Sequence, residues 1–559
     1  MSLVHISVAD WVVLAVYLFV VLAIGAVASR KVKSTDSYFL GSRSFGKLIM
    51  IAQSFGTGTH AEMPVSLAGA IYGRGLSGIW FQWKNLFVTP LYWLLAPLFR
   101  RFRRTTMSEV VEDRYGPWMA ALYTAFALSF FTINLASMLK GAAKVIVQST
   151  GGHLSVDAIV VAMTLIFVLY SFAGGLVATA WTEVLQGFLI ITLSFMIIPL
   201  GWEIVGGFGG MRAILGSEKF SLVTPSGVGV WFIGMLTLNG LVGIIAQPHL
   251  IAAVGTGKDE ATCRIGQMYG NLVKRVCTVG WAIVGLMTAA MVAKGTFGVT
   301  HLTDPEDAFG FACRQLLFPG GLGLLVACFL AANMAGCSAF MIDSGALVTN
   351  GLYRKYVAAG RTDRHYLWVG RLSGLAVTFG AVTYAVFFIQ RVLYSFLLTE
   401  TMATFVGISL LAGIVWPRAN RWGALASIAT SMSVNFAGYA FTHQRLDHWD
   451  PTVFSLALAS GIAALVIVSL QTPAEDAERL ARFYDNLQTP SGRENLRPNP
   501  RDTAEAGDQL ILVNLLDLNG GTRGFSFLHA YRKDLKGLAI GYGCVAALIA
   551  GLWLIVRLG

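Results

Sequence analysis

Ionisable and polar side chains inside the long apolar stretches of this 559-residue chain stand out at four places. An uncompensated charge in hydrocarbon costs several kcal/mol, so such residues usually bind an ion or a solute. The four places, in chain order, are Ser54 to Pro64, which contains His60 and Glu62; Gln82 to Asn85, which contains Lys84; Thr182 to Gln186, which contains Glu183; and Ser338 to Ser344, which contains Asp343.

The first of these places carries helix-breaking residues at mid-membrane depth. Gly56, Gly58 and Pro64 lie close in sequence to the hydroxyls of Thr57 and Thr59, and this combination predicts a helix that is broken within the bilayer. Unwound carbonyls at such a break can coordinate a cation, while the ends of the two half-helices orient a solute. Alternatively, Gly56 and Gly58 permit close packing against a neighbouring helix.

Three side chains near the break have more than one interpretation. Lys84 either contacts a solute or forms a structural ion pair with Glu62 or Asp343. His60 is either a hydrogen-bonded interior histidine or a proton carrier. His60 and Glu62 are disfavoured as a catalytic pair, because two residues apart on a helix they point to different faces, and no metal-ligand spacing accompanies them. The sequence therefore does not predict an enzyme.

Membrane helices must position these residues, because the composition does not suit a chain surrounded by water. Hydrophobic residues make up 55% and charged residues 13% of the sequence, against about 25% charged in soluble proteins. Each crossing needs about 20 apolar residues, and only helices satisfy their backbone internally at that length. The expected fold class is an all-α polytopic membrane protein with about fourteen transmembrane helices. Their approximate ranges are 8–29, 47–72, 76–98, 117–148, 154–172, 177–206, 228–253, 269–293, 318–350, 366–390, 395–416, 422–442, 452–470 and 537–557.

Basic residues indicate how the chain is oriented. The positive-inside rule places Lys- and Arg-rich loops in the cytoplasm and the acidic segment Thr300 to Phe309 outside. We therefore expect both termini outside, in a multi-pass protein of the plasma membrane. The net charge of +11 is spread over loops, so membrane lipid and not nucleic acid is the expected partner. The residues assigned to these loops are Arg30, Lys31, Lys33, Arg43, Lys47, Arg100, Arg101, Arg103, Arg104, Lys258, Arg264, Lys274, Arg275, Arg354, Lys355, Arg361, Arg364 and Arg371.

One long polar insertion, residues 471–536, separates the last two apolar runs. The segment Thr472 to Glu475 is typical of a capping box, with proline in the first helical turn. Leu480, Phe483 and Leu487 would then face the membrane or a partner. Residues 488–508 have the composition of a flexible linker. The insertion is either a cytoplasmic loop that tethers the last helix or a regulatory segment.

The most specific motif runs from Tyr170 to Gln186 and reads YSFAGGLVATAWTEVLQ. It resembles the YSxxGGLxAVxxTDxxQ pattern of sodium/solute symporters, in which a tight Gly-Gly turn precedes a helix with an acidic residue near its start. Ser37 to Gly41, Thr106 to Gly116 and Ala246 to His249 are also similar to family segments and occur in family order. The resemblance covers about residues 35 to 355, and the rest of the chain agrees in hydropathy alone.

The resemblance implies a LeuT-type core of two inverted five-helix repeats, each beginning with a broken helix, and transport by alternating access. The expected divisions are an extra helix and loop at 1–46, the first repeat at 47–206, the second repeat at 228–416, extra helices at 422–470, the cytoplasmic insertion at 471–536 and the last transmembrane helix at 537–559.

Carried over from the family, the sodium site lies between the first broken helix and the eighth core helix. The resemblance assigns its carbonyl ligands to Gly56, Thr59 and Ala332, and its two hydroxyl ligands to Ala335 and Gly336. Neither of the last two has a hydroxyl, and a hard cation prefers about six oxygen ligands. Ser338 or Asp343 would substitute in another helix register. Glu183 stands where the family mostly has an aspartate that is linked to cation release.

The solute positions implied by the resemblance lie on the first broken helix and on the next helix. Met63 stands where sugar-carrying relatives have a glutamine, and Gly58 where proline-carrying relatives have an aspartate. Gln82 and Asn85 stand where polar sugar contacts occur. The expected solute-binding residues are His60, Glu62, Met63, Gln82, Lys84 and Asn85.

The function that follows is secondary active transport of a small polar organic solute, a sugar, an amino acid or a carboxylate, by cation-coupled symport. Sodium is the coupling ion that the resemblance implies, and no other cofactor is expected; the six cysteines have no metal-ligand spacing. The alternatives are a proton-coupled transporter that uses His60 or Glu62, an uncoupled transporter, and a transporter-like membrane sensor that signals through residues 471–536.

Overall fold

The computed structural model of the chain describes residues 7–29, 35–40, 43–151, 154–224, 228–389, 391–442, 449–492, 508–518 and 526–558. Within these ranges the regular structure is helical, apart from one isolated bridge between Phe45 and Gly257. The predicted all-α fold is confirmed. Eight of the described helices are long and apolar enough to cross a membrane, and three shorter apolar helices accompany them. The total of fourteen spans stays a prediction.

The first eleven described α-helices precede residue 230. They are α1 (Val8–Ser29), α2 (Thr35–Leu40), α3 (Lys47–Gly58), α4 (Glu62–Arg74), α5 (Trp80–Trp83), α6 (Tyr92–Arg101), α7 (Met107–Tyr115), α8 (Pro117–Ser149), α9 (Val156–Phe195), α10 (Ile197–Val205) and α11 (Gly207–Leu215).

The second half begins with another interrupted helix and ends with the insertion and the last long helix. Its helices are α12 (Val230–Gly243), α13 (Leu250–Gly255), α14 (Glu260–Ala293), α15 (Ala308–Leu316), α16 (Gly321–Val348), α17 (Asp363–Phe387), α18 (Val392–Val415), α19 (Arg421–Phe441), α20 (Pro451–Gln471), α21 (Ala477–Gln488), α22 (Phe527–Ala530) and α23 (Arg532–Leu558). The domain divisions expected from the sequence stay predictions.

Two helices are broken, as the sequence and the resemblance predicted. Between α3 and α4 the chain becomes extended at Thr59, with φ −127° and ψ 104°. Between α12 and α13 a 3₁₀ turn is followed by extended backbone at Gln247, with φ −67° and ψ 118°. Pro248 follows directly, and it disfavours a helical conformation at the residue before it. Both breaks therefore have local causes.

Helix α14 packs against both halves of the first broken helix, α3 and α4. A Cβ atom added at Gly270 would lie 2.7 Å from the carbonyl oxygen of Ile51 and 2.8 Å from Cβ of Ser54. Glycine at this position is what allows α14 to approach α3 so closely. Gly56 has a similar role toward α9, because its added Cβ would lie 3.2 Å from Cγ of Glu183. The close-packing interpretation of Gly56 thus holds alongside the helix break.

The expected turn at Gly174 and Gly175 is wrong in this structure. Helix α9 runs without interruption from Val156 to Phe195. Glycine permits a turn but does not require one, and the apolar residues on both sides can continue a helix. The side chains of residues 173–178 lie outside the described part of the chain.

The predicted capping box at Thr472 to Glu475 is also wrong. Helix α20 reaches Gln471, and Thr472 is its C-cap. The next helix begins five residues later, where Asp476 is the N-cap and its side chain accepts a hydrogen bond from the backbone of Arg479. Glu475 instead forms ion pairs with Arg421 at 3.0 Å and Arg479 at 3.2 Å, so a tertiary partner takes the carboxylate that the sequence assigned to a cap.

The apolar side of α21 packs on the chain's own helices rather than on lipid. Phe483 and Leu487 are buried, and the Phe483 ring lies 6.3 Å from that of Phe102, just after α6. Arg103 fixes the end of α21 by donating to the carbonyls of Asn486 and Thr489 at 2.9 and 2.8 Å. Most of the predicted linker, residues 493–507, lies outside the described residues.

Candidate solute and cation site

A small polar cavity lies between the two helix breaks. It encloses about 50 Å³, which is room for about four water molecules. Both breaks contribute to its wall, together with α8, α14, α16 and α18. The residues that line it include Gly58, His60, His249, Lys274, Arg275 and Glu400. Met63 and Asn85, two of the solute-binding residues predicted from the sequence, line the same cavity.

His60 and Glu62 contact each other, so the expectation that they point to different faces is wrong. The chain is not helical between α3 and α4, and His60 Nδ1 lies 3.1 Å from Glu62 Oε1. His60 Nε2 lies 2.5 Å from the carbonyl oxygen of Thr57. A carbonyl only accepts, so Nε2 carries a hydrogen. The contact at Nδ1 then requires a further proton, held by the imidazole or by Glu62.

The sodium position implied by the resemblance does not fit a cation well. Ala332, Ala335 and Gly336 are all buried on α16, and the last two offer no hydroxyl. A Cβ atom added at Gly336 would lie 2.7 Å from Cδ2 of His60. The imidazole therefore lies against the helix where a hydroxyl ligand was expected.

Two carboxylates on helices that pack against α3, Glu183 of α9 and Asp343 of α16, have oxygen atoms without a hydrogen bond to any described residue. Thr57 donates from its hydroxyl to Glu183 Oε1 at 2.9 Å. Within the described residues, Glu183 Oε2 and Asp343 Oδ1 are buried without a hydrogen-bond partner, as are both amide atoms of Gln186. Neither carboxylate forms an ion pair with a described basic residue. Oxygen ligands for a cation are thus concentrated here and not at Gly336.

Lys84 forms an ion pair with Glu400 of α18, so its predicted partners, Glu62 and Asp343, are wrong. Lys84 is 1% exposed, and its Nζ lies 4.7 Å from the centre of the Phe396 ring. Glu62 is engaged by His60, and Asp343 lies on α16. Sequence spacing gave no indication of Glu400, because α5 and α18 come together only in the folded bundle.

Lys274 and Arg275 are the functional candidates that the sequence missed. Assigned to a loop by their charge, they lie inside α14 and are 7% and 1% exposed. Lys274 donates to the carbonyl of Gly58 at the first break. Arg275 donates to the carbonyl of Gln82 at 3.0 Å. Their position at the start of an apolar run could have indicated this role, because a helix that begins there places one of its faces against α3.

Neither of these two cations forms an ion pair with a described carboxylate, although the charge of Glu62 acts on Lys274. The third basic residue assigned to the same loop, Arg264, differs in this respect: it pairs with Asp534 of α23 at 2.5 Å. The positive charges of Lys274 and Arg275 therefore remain available at the wall of the cavity. The ligand that suits them is an anion.

An all-α membrane bundle with two helices broken around a shared polar cavity defines a secondary transporter of the LeuT type. The chain belongs to the sodium:solute symporter family, whose family model matches residues 38–430. It is therefore a transporter that couples a cation to a small solute, and not an enzyme.

Several curated proteins are similar over most of their length. The sodium/proline symporter of Escherichia coli (strain K12) is 27% identical over 449 residues, which cover 75% of this chain and 85% of that protein. The high-affinity proline transporter PutP of Bacillus subtilis (strain 168) is 25% identical over 502 residues, covering 84% of this chain and all of that protein.

Solved structures share the fold. A Na⁺-coupled sialic acid symporter in a substrate-bound, outward-open state superposes with a TM-score of 0.73 at 18% identity, covering 84% of this chain and 99% of the other. Mhp1, a nucleobase-cation-symport-1 family transporter in a closed conformation, gives a TM-score of 0.52 at 15% identity, covering 80% and 98%.

Proposed function

We propose that this protein moves a small solute with a carboxylate group, together with sodium. The observation that carries the proposal is the position of Lys274 and Arg275, which are buried at the cavity wall and lack a carboxylate partner among the described residues. A buried charge without a counter-charge is costly, and a charge-assisted hydrogen bond from each cation to a solute carboxylate would compensate it. A neutral sugar would leave both cations without an ion pair.

Proline is the first solute to test, because the similar curated proteins are named as proline transporters. It carries a carboxylate, and its ring is compact. The cavity has room for about four waters, so we expect solute binding to move the surrounding helices apart. Proline has to be tested because Gly58 stands where proline-carrying relatives have an aspartate.

Sodium is the coupling ion that the family name supplies. We propose that its oxygen ligands come from Thr57, Glu183 and Asp343, because the hydroxyl-free Ala335 and Gly336 leave the expected position short of ligands. Carboxylate and hydroxyl oxygens are the donors that a hard cation prefers. The sodium site would then lie where α3 meets α9, and both the cation and the solute would stabilise the first broken helix.

Uptake into proteoliposomes tests both parts of the proposal. We expect an inward sodium gradient to drive uptake of labelled proline or of another small carboxylate, and a choline gradient not to. Unlabelled carboxylates should compete, and neutral sugars should not. Uptake that follows a pH gradient in the absence of sodium would favour the proton-coupled alternative through His60 and Glu62. Competition by sugars alone would overturn the carboxylate assignment.

A further inference from the structure

The ion pair between Lys84 and Glu400 decides which charges the cavity presents to a solute. Glu400 is 5% exposed and is the acidic residue among the described residues that line the cavity. Its carboxylate is bound by Lys84, which reaches it from the segment after α5. The other nearby acid, Glu62, is bound by His60. Each of these two carboxylates therefore has one basic partner, although Oε2 of Glu62 is buried without a hydrogen bond from the described part of the chain.

The cavity thus offers two cations, Lys274 and Arg275, while its described lining carboxylate, Glu400, is held by Lys84. A solute carboxylate suits such a site. The ammonium group of an amino acid does not, because it would be desolvated close to Lys274 and Arg275 and could pair with Glu400 only by displacing Lys84. Like charges at short distance in a low-dielectric site repel strongly.

We infer that Lys84, by neutralising Glu400, makes this cavity select carboxylates that have no ammonium group, such as hydroxy acids and cyclic ether acids, over amino acids. This inference rests on the proposed carboxylate solute. In this preference the chain would differ from the proline transporters that it resembles, and the difference follows from the ion pair between Lys84 and Glu400. Lys84 acts here as a specificity-determining residue through its partner and not through a contact with the solute.

Matched pairs of solutes test the inference on the unmodified protein. Tetrahydrofuran-2-carboxylate and proline differ in having a ring oxygen in place of the ring NH₂⁺, and lactate and alanine differ in a hydroxyl in place of the ammonium. Binding to purified protein is measured in sodium by ligand-induced thermal stabilisation over a concentration series. We expect half-maximal stabilisation by the ammonium-free member of each pair at a concentration at least tenfold lower.

The outcomes separate this inference from the proposal beneath it. Equal or tighter binding of proline and alanine overturns the ammonium selection and leaves the carboxylate assignment standing. If no member of either pair stabilises the protein while a neutral sugar does, the carboxylate assignment falls and this inference falls with it. Stabilisation by pyrrolidine, which has the ammonium and lacks the carboxylate, overturns both.

A pair of variants tests the role of Lys84 directly. Lys84→Met leaves Glu400 at the cavity without its cation, so we expect the preference to shift at least tenfold toward the amino acid of each pair. The double variant Lys84→Met with Glu400→Gln removes both charges and should return the preference to that of the unmodified protein. The double variant contains no lone buried charge, so it should fold. If Lys84→Met does not fold, the matched solute pairs on the unmodified protein still decide the inference. A preference that is the same in all three proteins would overturn the inference.

Discussion

Replacing Lys274 with methionine should weaken solute binding without destabilising the solute-free protein. The side chain is 7% exposed, and its described partners include the Gly58 carbonyl but no carboxylate. Methionine has a similar length and fills the same space without the charge. The substitution therefore removes a buried positive charge that forms an ion pair only when an anionic solute is bound.

The expected magnitudes follow from the two states. In the bound state one charge-assisted hydrogen bond is lost, which is worth about 1.5–3 kcal/mol, or about 10- to 150-fold in affinity. In the solute-free state, removing a buried charge that has no ion pair raises the free energy of unfolding by between zero and about 4 kcal/mol. The lost hydrogen bond to Gly58 lowers it by about 1 kcal/mol. We therefore expect the solute-free variant to unfold at the same temperature as the unmodified protein or at a higher one.

Arg264→Met is the matched control. Arg264 is a buried basic residue on the same helix, but it pairs with Asp534 at 2.5 Å and does not line the cavity. Its loss leaves Asp534 without a cation and with the Ile511 amide as a remaining donor, and breaking such a buried ion pair costs about 3–5 kcal/mol of stability. Its solute affinity should stay within about threefold of the unmodified value.

Two measurements on purified protein show whether Lys274 binds the solute or has a structural role. They are the unfolding temperature without solute and the solute concentration that gives half-maximal stabilisation. If Lys274→Met binds the solute as tightly as the unmodified protein does, the proposed contact between Lys274 and the solute carboxylate is wrong. The proposed contact is also wrong if Lys274→Met lowers the solute-free unfolding temperature as much as Arg264→Met does, because Lys274 would then have a structural partner.

Three further substitutions have expected outcomes in thermal unfolding or proteolysis. Burial and the nearby charge of Asp304 raise the pKa of Asp307 from 3.8 to about 6. The contribution of the protonated carboxyl to stability is therefore lost as pH rises from about 4 to 6. Asp307→Asn should stabilise the protein by about 1 kcal/mol at pH 8, a value reduced for partial exposure, and should change nothing below pH 4. Gly270→Ala should cost about 1–3 kcal/mol by overpacking against α3, whereas Gly73→Ala, which meets nothing within 4 Å, should be neutral or stabilising. Phe483→Ala should speed proteolytic cleavage of α21, whereas the exposed Arg482→Ala should not, and equal cleavage in the two would contradict docking through Phe483.

Much of the fold was predictable because its causes are local. Long apolar runs require helices in a membrane, whatever they pack against. The break before Glu62 follows from glycines and a threonine adjacent in sequence, and the break at Gln247 precedes a proline. Local signals failed where glycines permit two conformations, as at Gly174 and Gly175, and where a carboxylate suited to a cap found an arginine partner instead.

The site was only partly predictable. His60, Met63 and Asn85 were expected near a solute and line the cavity, because they belong to the broken segment or to the helix that follows it. Lys274 was missed because a charge near the start of an apolar run has the same appearance in a loop as in a buried helix. Only the approach of α14 to α3, which Gly270 permits, places that charge at the break.

The sequence by itself determined that this is an all-α membrane protein with a broken helix and that it resembles sodium/solute symporters, since hydropathy and local backbone preference act over a few residues. Tertiary structure decided the charges at the cavity. It pairs Lys84 with Glu400 and leaves Lys274 and Arg275 without a carboxylate among the described residues. Electrostatic pairing depends on distance in space, and helices far apart in sequence set that distance only when they pack together.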